Sequence, residues 1–575
     1  MLSKKFSLAL CLLPLVIAGP IGKFHSGLNI SASDDTNQWW KSASFYQIYP
    51  RSFRDTDGDG VGDLNGITEK LPYLKEIGIT ATWLSPIFQS PMVDFGYDIS
   101  DYYKIHDEYG EMEDFENMVA TANELGIKII LDFVPNHSSN ENEWFKKSVN
   151  REKGFENFYI WHSGKPNPNN PEERPAPPTN WISVWRKSAW KWNDVRKQYY
   201  LHQFHEAQPD FNYRDPKVQE MMEGVLKFWL NKGVHGFRVD AVPFVYECNP
   251  PKDEPRNNDV TDPEDHSYLK HTCTVDQDET LELVYKWRRV LDDFTQSSKD
   301  KVPRIMMTEA YSPIETVMKY YGSEDGKKEG AQIPFNFFLI TDLNKDSNAK
   351  NIFDVIKKWN EKMPSGRLAN WVLGNHDQSR VASRFGVDKA DGMNMLLLSL
   401  RGSSVTYNGE EIGMTDVWLS WEDTVDPAAC NSNKDIYEKF TRDPARTPFQ
   451  WNSEKNAGFS TAEKTWLPVS SNYKLVNVAR QRGIDRSSLN IYKAMQILRK
   501  TEPFTKGEMQ VNALSDNVLV IARSYNSSNN SIEKIQLNEI YQLILISIIS
   551  FTRGCDQHLL KFSSVHGTFW QILEF

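Results

Sequence analysis

Eight short apolar runs recur along the chain, each separated from the next by enough residues for a helix. They are SFYQIYP (44–50), ITATWLSP (79–86), IKIILDFVPN (127–136), GFRVDAVP (236–243), RIMMTEAY (304–311), IPFNFFLI (333–340), LANWVLGN (368–375) and SSVTYNGE (403–410). Several are almost unbroken in apolar residues, as strands covered on both faces must be. The intervening segments carry helical periodicity. In PKVQEMMEGVLKFWLNKG, Val218, Met221, Met222, Val225 and Trp229 share one stripe, and Gly233 stops it. TLELVYKWRRVLDDF and DFENMVATANELG read the same way. Eight strand–helix units in series predict an α/β fold, a (β/α)8 TIM barrel. An open doubly wound sheet is the competing arrangement, but no glycine-rich nucleotide-binding motif supports it.

The barrel does not occupy the whole chain. Residues 1–19 combine Lys4 and Lys5 with an apolar run from Phe6 to Ala18, the pattern of a secretory signal peptide. That run is too short to span a bilayer, and so is YQLILISIISF (541–551), which reads as an apolar strand. The barrel is expected over 36–136 and 206–484. A loop-rich insertion after the third strand, 137–205, interrupts it and contains the Pro- and Asn-rich SGKPNPNNPEERPAPPTNW. Beyond about residue 485 the alternation is expected to stop, leaving a C-terminal antiparallel β-domain over 485–575. Secretion permits disulfides; Cys248 and Cys273 are close enough in sequence to close one loop, while Cys430 and Cys555 are unassigned. Asn29, Asn526 and Asn529 open glycosylation sequons, and Asn136 opens one expected to be buried. The net charge of −11 argues against nucleic acid or an anionic membrane as the main partner.

In such a barrel the reacting groups stand at the C-terminal ends of the strands. Here the third run ends in Asp132, Asn136 and His137, the fourth carries Arg238 and Asp240, the fifth ends in Glu309, and the seventh in Asn375, His376 and Asp377. A single aspartate at a strand end is more often a loop cap than a catalyst. Convergence of all four groups on one mouth is what carries weight. Carboxylates in unlike environments are what glycosidic cleavage needs: one attacks the anomeric carbon ionised, the other donates a proton. Arg238 and Asp240 are two residues apart and share a strand face, so the guanidinium is expected to keep Asp240 ionised. Glu309 follows the apolar IMMT, and burial there would suit an acid/base. A zinc hydrolase or a serine hydrolase would require HExxH or GxSxG, and neither is present.

With these residues in view, the chain resembles the α-amylase family of glycoside hydrolases, and within it the insect maltase (α-glucosidase) branch. The resemblance rests on DFVPNH, QPDFNYR, GFRVDAVP, TEAY and GNHDQS in that order, with WWKSASFYQIYPRSFRDTDGDGVGDLNGI and RDPARTPFQWN matching the maltase branch. It implies Asp240 as nucleophile, Glu309 as acid/base and Asp377 as the third acid. Asp94, Tyr97, His137, Arg238, His376 and Arg446 are implied to hold the glucosyl unit, with Asp132 a structural acid nearby. Ala241, after the nucleophile, implies α-1,4 bonds of the maltose type, with sucrose the next candidate. The family's reaction is retaining, which places the two working carboxyls about 5–5.5 Å apart. The implied enzyme is a secreted exo-α-glucosidase acting on small oligosaccharides or disaccharides, with no transmembrane segment. The alternative within the same fold is a non-catalytic receptor or transporter partner.

One further stretch needs an account. RDTDGDGVGDLNGI (54–67) places Asp55, Asp57, Asp59 and Asp63 among glycines like a calcium loop. A sensor loop wants a bidentate acid at its twelfth position, and here that position is Gly66. The resemblance implies instead a fixed structural Ca²⁺ held by Asp55, Asp57, Asp59, the Val61 carbonyl and Asp63. Beyond about Ser524 the likeness fades.

Overall fold

The computed structural model describes residues 27–30, 38–166 and 173–525, together with the backbone of strands at 543–550, 559–564 and 572–574. The expected signal peptide, the sequons at Asn526 and Asn529, Cys11 and Cys555 lie outside the described residues.

Eight parallel strands form the central sheet: β1 (Ser44–Ile48), β2 (Ala81–Leu84), β3 (Lys128–Phe133), β4 (Gly236–Val239), β5 (Ile305–Thr308), β6 (Ile333–Pro334), β7 (Asn370–Val372) and β8 (Ser403–Tyr407). Their order is β6-β5-β4-β3-β2-β1-β8-β7, a barrel closed everywhere except for a strand ladder between β6 and β7. All eight apolar runs contribute a strand. The sixth is shorter than IPFNFFLI suggests, because Phe338–Thr341 turns into a helix. An apolar run of that length does not distinguish strand from buried helix.

The seam between β6 and β7 is closed by a side chain. Asn370 accepts the Asn336 backbone N–H at 2.9 Å and donates to the Pro334 carbonyl at 2.5 Å. It is fully buried. A strand as short as β6 leaves unpaired backbone groups at the seam, and a carboxamide offers one donor and one acceptor to meet them.

Strand parity sorts side chains into two layers. Phe45, Trp83, Ile130, Ile305, Met307, Ile333, Val372 and Val405 fill the barrel interior. Ile48, Leu84, Ile129, Leu131, Phe133, Phe237, Val239 and Met306 point outward into a second core. That core is covered by helices α1 (Leu64–Glu76), α2 (Met112–Leu125), α3 (Pro216–Asn231) and α4 (Glu279–Ser297). In α3 the expected stripe is inward: Val218, Met222, Val225 and Trp229 are buried. Asp215 caps its first turn and Pro216 takes the first helical position.

Residues 137–205 hold a three-stranded antiparallel sheet (161–162, 190–193 and 198–201) around Trp181, Trp190 and Tyr199. Cys248 and Cys273 are joined in a disulfide in the chain beyond β4. Asn136 is buried, as expected of that sequon. The helical alternation runs past residue 485, since α5 (Ser488–Arg499) packs its Leu489, Tyr492 and Met495 into the core. The antiparallel sheet takes its edge strand from the N-terminal Leu28–Ile30, which pairs with Met509–Val511; Glu508–Ser515 then pairs with Val518–Ser524, and the sheet continues through Leu543–Ser550, the strand read from YQLILISIISF. No helix among the described residues is long and apolar enough to cross a membrane.

Replacing Asn370 by Ala strands the Asn336 N–H and the Pro334 carbonyl in a dry seam. Stability should fall by roughly 2–6 kcal/mol, from about 1–3 kcal/mol for each of the two unsatisfied groups, read as a lower urea midpoint at unchanged slope.

Candidate active site

Register sets which side chains meet at the barrel mouth. β4 pairs with β5 through Gly236↔Ile305 to Val239↔Thr308, so the next residue on each strand, Asp240 and Glu309, stand side by side. Neighbouring strand backbones lie about 4.8 Å apart. β4 also pairs with β3 through Arg238↔Asp132. Parity then aims Asp132, Arg238, Asp240 and Glu309 at the axis.

Arg238 ties these groups together. Its Nη1 donates to both oxygens of Asp132 (2.9 and 3.0 Å) and to Asp240 Oδ1, while its Nη2 sits 2.9 Å from Glu309 Oε2. The guanidinium is buried and lies 4.9 Å from the centre of the Trp83 ring. One cation thus faces three carboxylates. The guanidinium expected to favour ionised Asp240 is in place, and burial works against it. Burial raises the Asp240 carboxyl well above its ordinary range, Arg238 offsets only part of this, and Glu309 and Asp132 add to the rise. Asp132 is likewise pushed up to about 6 by burial, against the pull of Arg238. Burial thus outweighs the single arginine at both Asp240 and Asp132.

Ala241 occupies the left-handed region at φ 47°, and its N–H donates to Glu309 Oε2 at 2.9 Å. A residue with a Cβ is uncommon there, and such backbone gathers at functional sites. The turn points an amide at Glu309 that regular strand geometry would direct elsewhere.

A second charge cluster forms the pocket wall. Arg442 donates to Asp94 Oδ1 (2.8 Å), Asp377 Oδ1 (3.2 Å) and Asp426 (2.7 Å). Arg446 donates to the same Asp377 oxygen at 2.8 Å and to the His376 carbonyl. Burial alone would raise Asp377, but the facing charges of His376, Arg442 and Arg446 hold it well below the ordinary carboxylate range. His376 is itself pushed far below 6.5 by burial, so at neutral pH the two guanidiniums carry that effect. Asp94 comes from the hairpin after β2, and its second oxygen accepts from Gln208 at 3.1 Å.

The remaining predicted residues lie between these clusters. Tyr97 donates to Asp132 Oδ2 (3.1 Å) and meets His376 Nε2 at 2.7 Å, with the Gln47 amide on His376 Nδ1 at 2.8 Å. The Tyr97 and His376 rings are parallel at 5.4 Å. His137 faces Gln208 through Nε2 at 3.1 Å and lies 5.1 Å from the Phe204 ring; burial drives it down to about 3, so it is neutral. Arg442, Gln208 and Phe204 were not singled out from sequence. Arg442 opens the same RDPARTP segment as Arg446, and only its contacts distinguish the two.

The aspartate loop lies at the start of α1. Carboxylate oxygens of Asp55, Asp57 and Asp63 approach within 4.8 Å of one another. Ca²⁺ takes oxygens at 2.3–2.6 Å, so ligands on opposite sides of it stand roughly 5 Å apart; these three fit. Asp59 is not in this converging set, and its Oδ1 accepts the Val61 N–H at 2.7 Å. Burial, and behind it the neighbouring acids, raises both Asp59 and Asp63. Asp63 also caps α1, accepting from Gly66 N at 2.6 Å. A Cβ on Gly60 would stand 2.4 Å from the Lys464 carbonyl, so only glycine lets the loop lie this close to 460–465.

Replacing Arg442 by Met removes one of two cations from Asp377. A carboxylate held low stays ionised to acid pH, so losing that cation raises its pKa. With that ionised partner weakened, kcat/KM at pH 7 should fall by roughly a hundredfold, about 2.7 kcal/mol.

Comparison with known proteins agrees with this geometry. The alpha amylase catalytic domain matches residues 47–507. Maltase A1 of Drosophila melanogaster is 56% identical over 501 residues, covering 86% of each chain. A salivary alpha-glucosidase of Anopheles gambiae is 49% identical over 518 residues, covering 89% of this chain and 86% of that one. Among solved structures, the alpha-glucosyl transfer enzyme XgtA superposes with a TM-score of 0.77 at 31% identity, covering 89% of this chain and 91% of that chain. By sequence, by barrel topology and by the residues gathered at its mouth, this chain belongs to the α-amylase family.

Proposed function

We propose that this protein is a secreted, retaining exo-α-glucosidase that frees glucose from the non-reducing ends of maltose-type α-1,4 oligosaccharides, with sucrose as a further substrate. The observation that carries the reading is the pairing of Asp240 and Glu309 on adjacent strands around one guanidinium. Relatives that cover most of this chain are named maltase and alpha-glucosidase, which supports the same reaction class.

Asp240 attacks the anomeric carbon and forms a glucosyl ester. Glu309 passes its proton to the departing oxygen as the glycosidic bond breaks. Glu309 then takes a proton from water, whose oxygen displaces Asp240 and restores both carboxyls. The Ala241 amide and Arg238 Nη2 both hold Glu309 Oε2, which fixes this carboxyl beside Asp240. Asp377, kept ionised by Arg442 and Arg446, grips sugar hydroxyls in a dry pocket. The Asp94–Arg442 pair stands behind the terminal sugar, which supports exo-action over cleavage within a chain. Neutral His137 and His376 donate or accept hydrogen bonds there without adding charge. Ala241 leaves room beside the scissile bond, in keeping with α-1,4 links.

A structural Ca²⁺ would be held by Asp55, Asp57 and Asp63, with Asp59 and the Val61 carbonyl as the other expected donors. It would neutralise the crowded acids and pin the loop after β1, with no part in the bond-breaking steps. The apolar run at 6–18 supports export.

Glucose release from maltose, isomaltose, sucrose and starch tests the reading. Maltose should be turned over fastest and starch slowest. Asp240→Asn should lower kcat by at least about a thousandfold, roughly 4 kcal/mol of barrier. An intact enzyme that frees no glucose from any of the four would favour the non-catalytic relative.

For the ion, calcium at a hundred times its Kd should add about 2.7 kcal/mol of stability. Chelator should reverse this rise in Tm, and Asp57→Asn should blunt it. An unmoved Tm with no metal by elemental analysis would exclude the site.

A further inference from the structure

The inserted region reaches the pocket through residues 182–188, and this arm is held in an unusual way. Arg186 and Lys187 both adopt left-handed backbone, at φ 72° and 64°. Two consecutive side-chain-bearing residues in that region are disfavoured, and such conformations persist only where the surroundings hold them. Lys187 N–H donates to the Glu264 carbonyl at 3.2 Å, and Ser183 N–H donates to the Lys187 carbonyl at 2.9 Å.

The Arg186 side chain makes the tie. Its Nη2 bonds Asp262 at 2.7 Å and approaches Glu264 at 3.5 Å, both in the loop after β4. Its guanidinium lies 4.9 Å from the ring centre of Phe440, in the segment after β8. One residue earlier, Trp185 places its ring 4.3 Å from the Arg442 guanidinium, which itself holds Asp94 and Asp377. The Trp185 carbonyl accepts from Asn431 at 3.0 Å. Behind the arm lies a cleft of about 420 Å³ lined by Trp181, Ile182, Lys187, Glu264 and Tyr268. Within the inserted region the arm is also held by Val184 N–H, which donates to the Gln203 carbonyl at 2.8 Å, and by the Trp185 ring, 5.7 Å from that of Phe204; the ties to Asp262, Glu264, Phe440 and Asn431 join it to the barrel loops.

We infer that Arg186 is a positioning residue: it latches the inserted arm to the loops after β4 and β8 and thereby holds Trp185 against Arg442 at the pocket wall. It touches neither sugar nor the reacting carboxyls. Its effect on the reaction passes through Trp185 and Arg442 to the grip on the terminal glucose. This rests on the glucosidase reading for its kinetic consequence, but not for its structural one.

Arg186→Gly tests it, since glycine accepts φ 72° freely and the variant loses only the tie. KM for maltose should rise at least about fivefold while kcat changes less than about twofold. Asp262→Ala should reproduce the rise. Lys187→Gly, which relaxes the backbone but keeps the tie, should leave both constants unchanged. Hydrogen exchange on the same proteins should show residues 183–187 and 431 exchanging faster in Arg186→Gly than in wild type, with β3 and β4 unaffected. Unchanged KM in an active enzyme overturns the latch. If the wild type releases no glucose, the glucosidase reading fails, and the exchange comparison still decides the latch: equal protection in the two proteins overturns it.

Discussion

A single buried guanidinium organises the mouth of this barrel. Arg238 is bonded to Asp132 and Asp240 and lies against Glu309, and among the described residues no other cation is paired with those three acids. One cation for three buried acids is a shortage of positive charge that is costly to bury. Burial raises the Asp132 and Asp240 carboxyls above their ordinary range although Arg238 pulls both down. The surrounding structure enforces the shortage, with Trp83 packed below Arg238 and strands β3, β4 and β5 delivering the acids in register.

The second cluster works by the opposite balance. Asp94, Asp377 and Asp426 face two guanidiniums, Arg442 and Arg446, and Asp377 touches both. There the carboxylate stays ionised, and its charge is available to sugar hydroxyls. Burial thus prevails at Asp132 and Asp240, which share one arginine, whereas two arginines prevail over burial at Asp377. The barrel supplies the first set on regular strands. The second is assembled from a hairpin after β2, the end of β7 and the long segment after β8, which have no hydrogen-bonded register in common.

That difference explains why the pocket wall needs tethers. The Arg186 tie, the Asn431 bond to Trp185 and the Gln208 bond to Asp94 all join segments distant in the chain. Strands hold Asp240 and Glu309 through ladder bonds, whereas the wall is held by individual side chains. Variation among related enzymes in substrate grip would be expected to enter through such contacts.

Much of this was legible in the amino-acid sequence alone. Parity along a strand is local, so Arg238 and Asp240 had to share a face, and Asp132 and Glu309 had to stand at strand ends. The eight apolar runs determined the barrel because strands buried on both faces leave little room for polar residues. What only the tertiary structure decided are the quantities that depend on distant neighbours. Burial overrides Arg238 at Asp240, because a pKa sums every charge and every displaced water around the group. Arg442 stands out only once Asp94, Asp377 and Asp426 are brought to it. Asp59 stands outside the set of Asp55, Asp57 and Asp63 whose oxygens converge, although the sequence places all four in one loop. The sixth strand is cut short because Phe338–Thr341 turns into a helix, and Asn370 from the seventh closes the seam that is left. Local order along the chain fixes which side chains face inward; the long-range balance of charge and solvent fixes what they do there.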